Sequence, residues 1–149
     1  MPTKYSDDFE VGERLVTTAI TITDAHLVNW AGLTMDFYPL HMDEEFAKKT
    51  VFGTRIAHGP LILAMAIGLV SMSGIYADSV IAWLGLENLR IPAPTRIGDT
   101  IRVEAEVKER RETSRPERGI CVLTYRVKNQ RDEDVMTLDF LSLMHRKTG

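Results

Sequence analysis

Gly59-Pro60-Leu61-Ile62-Leu63-Ala64-Met65-Ala66-Ile67-Gly68-Leu69-Val70-Ser71-Met72-Ser73-Gly74-Ile75-Tyr76-Ala77 runs without a charged side chain. Its length approaches that of a membrane span, which needs ~20 apolar residues. Pro60 at its start, and Ser71, Ser73 and Gly74 in its final third, argue against that setting. Arg55 is the nearest basic residue upstream, so no Lys/Arg cluster flanks the run. A helix apolar on every side must be enclosed by lipid or by protein. The reading here is protein: a central buried helix from about Gly59 to Ser73, with no membrane association.

What encloses it must come from the flanking sequence. Downstream, Val80 to Ile91 reads as largely extended and ends at Pro92-Ala93-Pro94. Thr100 to Val107 alternates apolar and polar residues with period two, the mark of a strand with one buried face. Ile120 to Lys128 and Val135 to His145 repeat the pattern, with Asn129 to Asp134 as a polar turn between them. The charged stretch from Lys108 to Arg118 is read as an exposed hairpin loop. Upstream, Val16 to Thr23 is rich in β-branched residues and predicts a strand. Asp24 is placed as the N-cap of a short helix through Ala31. An irregular segment interrupted by Pro39 covers about Gly32 to Met42, and Asp43 to Lys49 predicts a second short helix with acids first and bases last. One buried helix followed by three or four long antiparallel strands is an α+β arrangement. It resembles the hot-dog fold, in which a curved antiparallel sheet wraps one long apolar central helix. Such a half-barrel leaves an open edge, so a homodimer or a higher assembly of dimers is expected.

The bulk composition fits this reading. The 149 residues are 44% hydrophobic and 26% charged, which suits one domain, residues 1–149, around one core. A net charge of -3 gives no reason to expect nucleic acid as a partner. The first eight residues show no basic leader followed by an apolar run, so no secretory signal is expected. Cys121 is the only cysteine and cannot form an internal disulfide, which points to a reducing, cytoplasmic setting. Within Ile120-Cys121-Val122-Leu123 it reads as a small buried hydrophobe. No Cys/His cluster has metal-ligand spacing, so no metal is expected.

The chemistry-bearing residues precede the apolar helix. Thr34-Met35-Asp36-Phe37-Tyr38-Pro39-Leu40-His41 holds a carboxylate and an imidazole, and Ile56-Ala57-His58-Gly59-Pro60-Leu61 stands at the helix mouth. Taken singly, the aspartate reads equally well as a turn or cap residue and the histidine as a satisfied polar group. The set is more informative. It resembles the MaoC-like, (R)-specific enoyl-CoA hydratase family, whose motif runs roughly Gly-Asp-x-Asn-Pro-hydrophobic-His. Asp36, Pro39, Leu40 and His41 match it at the right spacing, whereas Met35 and Tyr38 replace its Gly and Asn. Asp43 to Ala47, Phe52 to Gly59 and Leu89 to Thr100 continue the likeness, so it covers nearly the whole chain.

The resemblance implies a hydro-lyase that adds water to a trans-2-enoyl thioester, or removes it from the 3-hydroxyacyl thioester. Asp36 would take the water proton as general base, and His41 would orient the water and assist proton transfer. Negative charge builds on the thioester oxygen and needs donors. The Gly59 N–H at the helix entry suits that task as an oxyanion hole, since Pro60 has no N–H. Phe37, Tyr38 and His58 are candidates for the substrate pocket, with His58 not assigned to catalysis. The thioester implies coenzyme A or an acyl carrier protein as part of the substrate, with no separate cofactor. Arg55, Arg90 and Arg96 are candidates for coenzyme A phosphates, as are Arg110, Arg111, Arg115 and Arg118. Two other readings remain. A hot-dog thioesterase commonly places a carboxylate on the central helix, and none lies between Gly59 and Ala77. A non-catalytic acyl-binding or assembly subunit would be favoured by Tyr38 and disfavoured by the retained Asp36 and His41.

Overall fold

The protein is described here from a computed structural model covering residues 4–147. Along the chain come β1 (Arg14–Val16), β2 (Ile20–Thr21), α1 (Asp24–Thr34), α2 (Pro39–Met42), α3 (Glu44–Ala47) and α4 (Gly59–Met72). Four long strands follow: β3 (Val80–Arg90), β4 (Thr100–Glu112), β5 (Arg118–Lys128) and β6 (Asp134–His145). They pair antiparallel in the order β1-β4-β5-β6-β3, and β2 also pairs with β4. Period-two alternation sends Val103, Ala105, Val107, Leu123, Tyr125, Leu138 and Phe140 into one buried face. The α4 side chains Leu61, Ile62, Ala66, Leu69 and Val70 are buried in the same core. Tyr125 is fully buried there and shares a 2.6 Å hydroxyl–hydroxyl hydrogen bond with Tyr76. Cys121 is also buried, and desolvation pushes its thiol up to about 12, which agrees with an inert apolar role.

Several local expectations need correction. The first strand divides in two at Thr17, whose hydroxyl accepts the Val103 N–H at 2.9 Å in place of a regular ladder bond. Asp24 is the first helical residue rather than the N-cap. Thr23 is extended there, and its N–H donates to His26 Nδ1 at 2.9 Å. The helix it opens runs on to Thr34, three residues past Ala31, and Pro39 starts a helical turn inside the segment read as irregular. The Lys108 to Arg118 stretch is mostly strand: β4 continues to Glu112, and β5 begins at Arg118. A β-bulge between Val107 and Glu109 breaks the alternation there, which is why the pattern in the sequence stopped at Val107.

The central helix is also less enclosed than its composition predicts. Pro60, Ala64, Gly68 and Met72 form a stripe that stays exposed in the single chain. The edge strand β3 likewise exposes Val80, Trp83, Leu84 and Leu89. Among the described residues no helix is long and apolar enough to cross a membrane.

Candidate active site

The site is built where three irregular segments meet at the N-terminus of α4. Met35 takes a left-handed conformation (φ 66°) and ends α1, turning the chain outward. Asp36 follows, and its Oδ1 accepts the Tyr38 N–H at 3.3 Å, a local turn that orients the carboxylate. Pro39 then opens α2 and places His41 two residues on, within the same short turn. His41 Nδ1 lies 2.7 Å from the Ile56 carbonyl. A carbonyl can only accept, so Nδ1 carries the proton and Nε2 is left free in the neutral ring.

His58 lies beneath this pair. It is fully buried, and its Nε2–H donates to the Asp36 carbonyl at 3.0 Å. Its ring stacks on His41 with centroids 4.0 Å apart. Burial lowers its pKa, aided by the nearby His41, so His58 is held neutral; its Nδ1 has no hydrogen-bond partner. One donor atom from each of Asp36, His41 and His58 lies within 4.8 Å of the other two. These three could each offer a ligand to a cation, a grouping that spacing along the sequence did not show because His58 arrives from another segment.

Gly59 is the first residue of α4. Together with His41, Ile62, Ile91, Val135 and Met136 it lines an apolar cavity of about 160 Å³. A Cβ on Gly59 would come 3.1 Å from Ile91 Cδ1, so glycine permits the close packing at this entrance. The opposite wall is pinned to the helix entry by the Ala57 N–H, which donates to the Thr95 carbonyl at 2.7 Å, and by an Ile56–Arg96 bridge. Larger depressions of about 410 and 610 Å³ lie near the β4–β5 hairpin and the C-terminal end of α4, away from Asp36 and His41.

The other sequence candidates fall at different distances from this centre. Phe37 and Tyr38 are each 57% exposed; Tyr38 stands edge-on to both His41 and Phe46 rather than lining the cavity. Arg55 is occupied by ion pairs with Asp24 (2.7 Å) and Glu44 (3.3 Å). Arg90 is exposed at the end of β3, and Arg96 Nη2 donates to the Phe52 carbonyl at 3.3 Å. Arg90 pairs with Thr137 near the Val135–Met136 end of the sheet and Arg96 bridges Ile56 beside the cavity, whereas Arg110, Arg111, Arg115 and Arg118 cluster at the opposite end. Glu44 is a positioning residue that the sequence did not single out. Its carboxylate accepts from Thr54 Oγ1 at 2.7 Å and from the Arg55 N–H at 3.3 Å, so it ties α3 to the segment presenting Ile56. The Thr54 hydrogen bond, with help from Arg55, holds that carboxyl below its usual range.

An antiparallel sheet against one apolar helix, with Asp36 and His41 at the helix mouth, is the arrangement of the hot-dog fold. Residues 8–128 match the model of the MaoC like domain, and the chain belongs to that family. It is 38% identical over 107 residues to Protein MaoC of Klebsiella aerogenes, covering 72% of this chain and 31% of that protein. It is 36% identical over 102 residues to the (R)-specific enoyl-CoA hydratase of Rhodospirillum rubrum, covering 65% of each. The chain thus spans from just under a third to just under two thirds of these curated relatives. Over whole chains it superposes on the monoamine oxidase regulatory protein of Archaeoglobus fulgidus with a TM-score of 0.94 and 38% identity, covering 98% of this chain and 97% of that one.

Proposed function

We propose that the protein adds water to a trans-2-enoyl thioester to give an (R)-3-hydroxyacyl thioester, or runs the reverse dehydration. The observation that carries this is the His41 imidazole lining an apolar cavity at the α4 N-terminus, with the Asp36 carboxylate within 4.8 Å of it. A carboxylate oxygen of Asp36 and a ring nitrogen of His41 at that separation are close enough for both to accept hydrogen bonds from one water between them. The water oxygen bonds to the β-carbon while Asp36 takes its proton. The C=C electron pair shifts onto the thioester oxygen, facing the Gly59 N–H. Collapse of that enolate draws a proton onto the α-carbon from the Asp36–His41 pair, so the sum is one water added. His58 supports the pair from below as a neutral imidazole.

The substrate is an acyl thioester of coenzyme A or of an acyl carrier protein, with Arg90, Arg96 and Arg55 as the basic groups at the cavity's end of the sheet. A homodimer joined through β3 would cover Val80, Trp83 and Leu84. The cytoplasm, where acyl thioesters are made and used, is the fitting compartment.

Incubation with trans-2-enoyl-CoA substrates and chiral analysis of the product tests the reaction. Loss of the enoyl chromophore with formation of the (R)-alcohol is expected. Release of free thiol without water addition would make it a thioesterase, and binding without turnover would make it an acyl-binding subunit.

A further inference from the structure

We infer that the cavity beside His41 and Gly59 receives the acyl tail and restricts the substrate to a short, unsubstituted chain of about four to six carbons. This rests on the hydratase reading of the site. The cavity measures about 160 Å³. An apolar protein cavity of about 150 Å³ is known to hold benzene, six carbon atoms. Its floor is the buried trio Ile62, Val135 and Met136, and its wall is Ile91, Ala93 and Pro94.

Two features stop it from stretching. Pro92 and Pro94 stiffen the wall, and the Thr95 carbonyl and the Ile56–Arg96 bridge fasten it to the helix entry. The floor belongs to α4 and β6, elements packed into the core. A longer tail has no room below Ile62 and Met136 without displacing them. No charged side chain lines the cavity. A tail bearing a carboxylate would therefore lose its hydration with nothing to replace it.

The test measures kcat/KM for trans-2-enoyl-CoAs of four, six, eight and ten carbons, together with the affinity for the matching saturated acyl-CoAs. Efficiency is expected to fall about tenfold or more between six and eight carbons, the scale of a methylene misfit in a tight pocket. The Ile62→Ala and Met136→Ala variants should each raise the eight-to-four-carbon ratio by about tenfold. Ile62→Val, which removes one methyl group, gives the same direction if either alanine variant fails to fold. A flat or rising profile to ten carbons, or variants that leave the ratio unmoved, overturns the inference. If no chain length turns over yet saturated acyl-CoA affinity still drops beyond six carbons, the length limit stands and the hydratase reading fails. Failure to bind or turn over any of them removes both.

Discussion

Asp36 and His41 are joined by a turn of backbone, and His58 supports that turn from inside the core. The Asp36 carbonyl accepts from His58, and the His41 ring stacks on it. Because burial depresses the His58 pKa, its contribution to stability is present in full above the ordinary histidine value of ~6.5. It is lost as the pH falls from there through the depressed folded value, since the unfolded chain binds that proton more readily. Melting temperatures across pH 8 to 5 should therefore drop more steeply for the wild type than for His58→Gln, and parallel curves would refute this. Tyr38 supplies a second expectation. Its ring stands edge-on to His41 at 6.3 Å and is mostly exposed, so Tyr38→Asn should leave the melting temperature nearly unchanged. The same variant should alter KM more than kcat if the phenol shapes substrate entry; the reverse pattern would give Tyr38 a part in the chemistry. The Asp36–His41 spacing was legible because it follows a family motif along one short loop. The His58 stack and the Glu44 tie were not, since both arise between segments that only folding brings together.

At the scale of elements, the outer face of the sheet is fastened by one buried carboxylate. Asp139 on β6 accepts from Lys108 Nζ (2.6 Å), Asn88 Nδ2 (2.8 Å) and Thr124 Oγ1 (2.7 Å), linking it to β4, β3 and β5. Burial alone would raise its pKa, yet these three donors hold the carboxyl below its usual range. Lys108→Met should destabilise the fold by ~1–3 kcal/mol in urea titrations, because it leaves a buried charge short of a donor. A loss below the error of the titration would show that Asn88 and Thr124 suffice. Strand existence was readable from alternation in β4, β5 and β6, but the bulge at Lys108 was not. An inserted residue breaks the period and makes a paired, charged strand look like a solvated loop. Composition likewise overstated the enclosure of α4, because it records which residues are apolar and not which face the sheet reaches.

The exposed α4 stripe and the apolar β3 edge belong to the scale of the whole molecule. Neither is covered by the described residues, and the proposed homodimer, pairing along β3, would cover the strand edge. Analytical ultracentrifugation should return the mass of a dimer, and Leu84→Glu should shift it toward the monomer. A monodisperse monomer for the wild type would rule this out. At the site itself, Asp36 and His41 are proposed to act on one shared water. Groups that work as a unit give losses that do not add. Steady-state hydration of a four-carbon trans-2-enoyl-CoA by Asp36→Asn, His41→Gln and the double variant, each checked for folding, examines this most directly. Each single variant should lower kcat/KM by about 10²–10⁴, and the double variant by little more than the worse single one. Losses that multiply in the double variant, or an Asp36→Asn protein as active as the wild type, would contradict the shared-water mechanism.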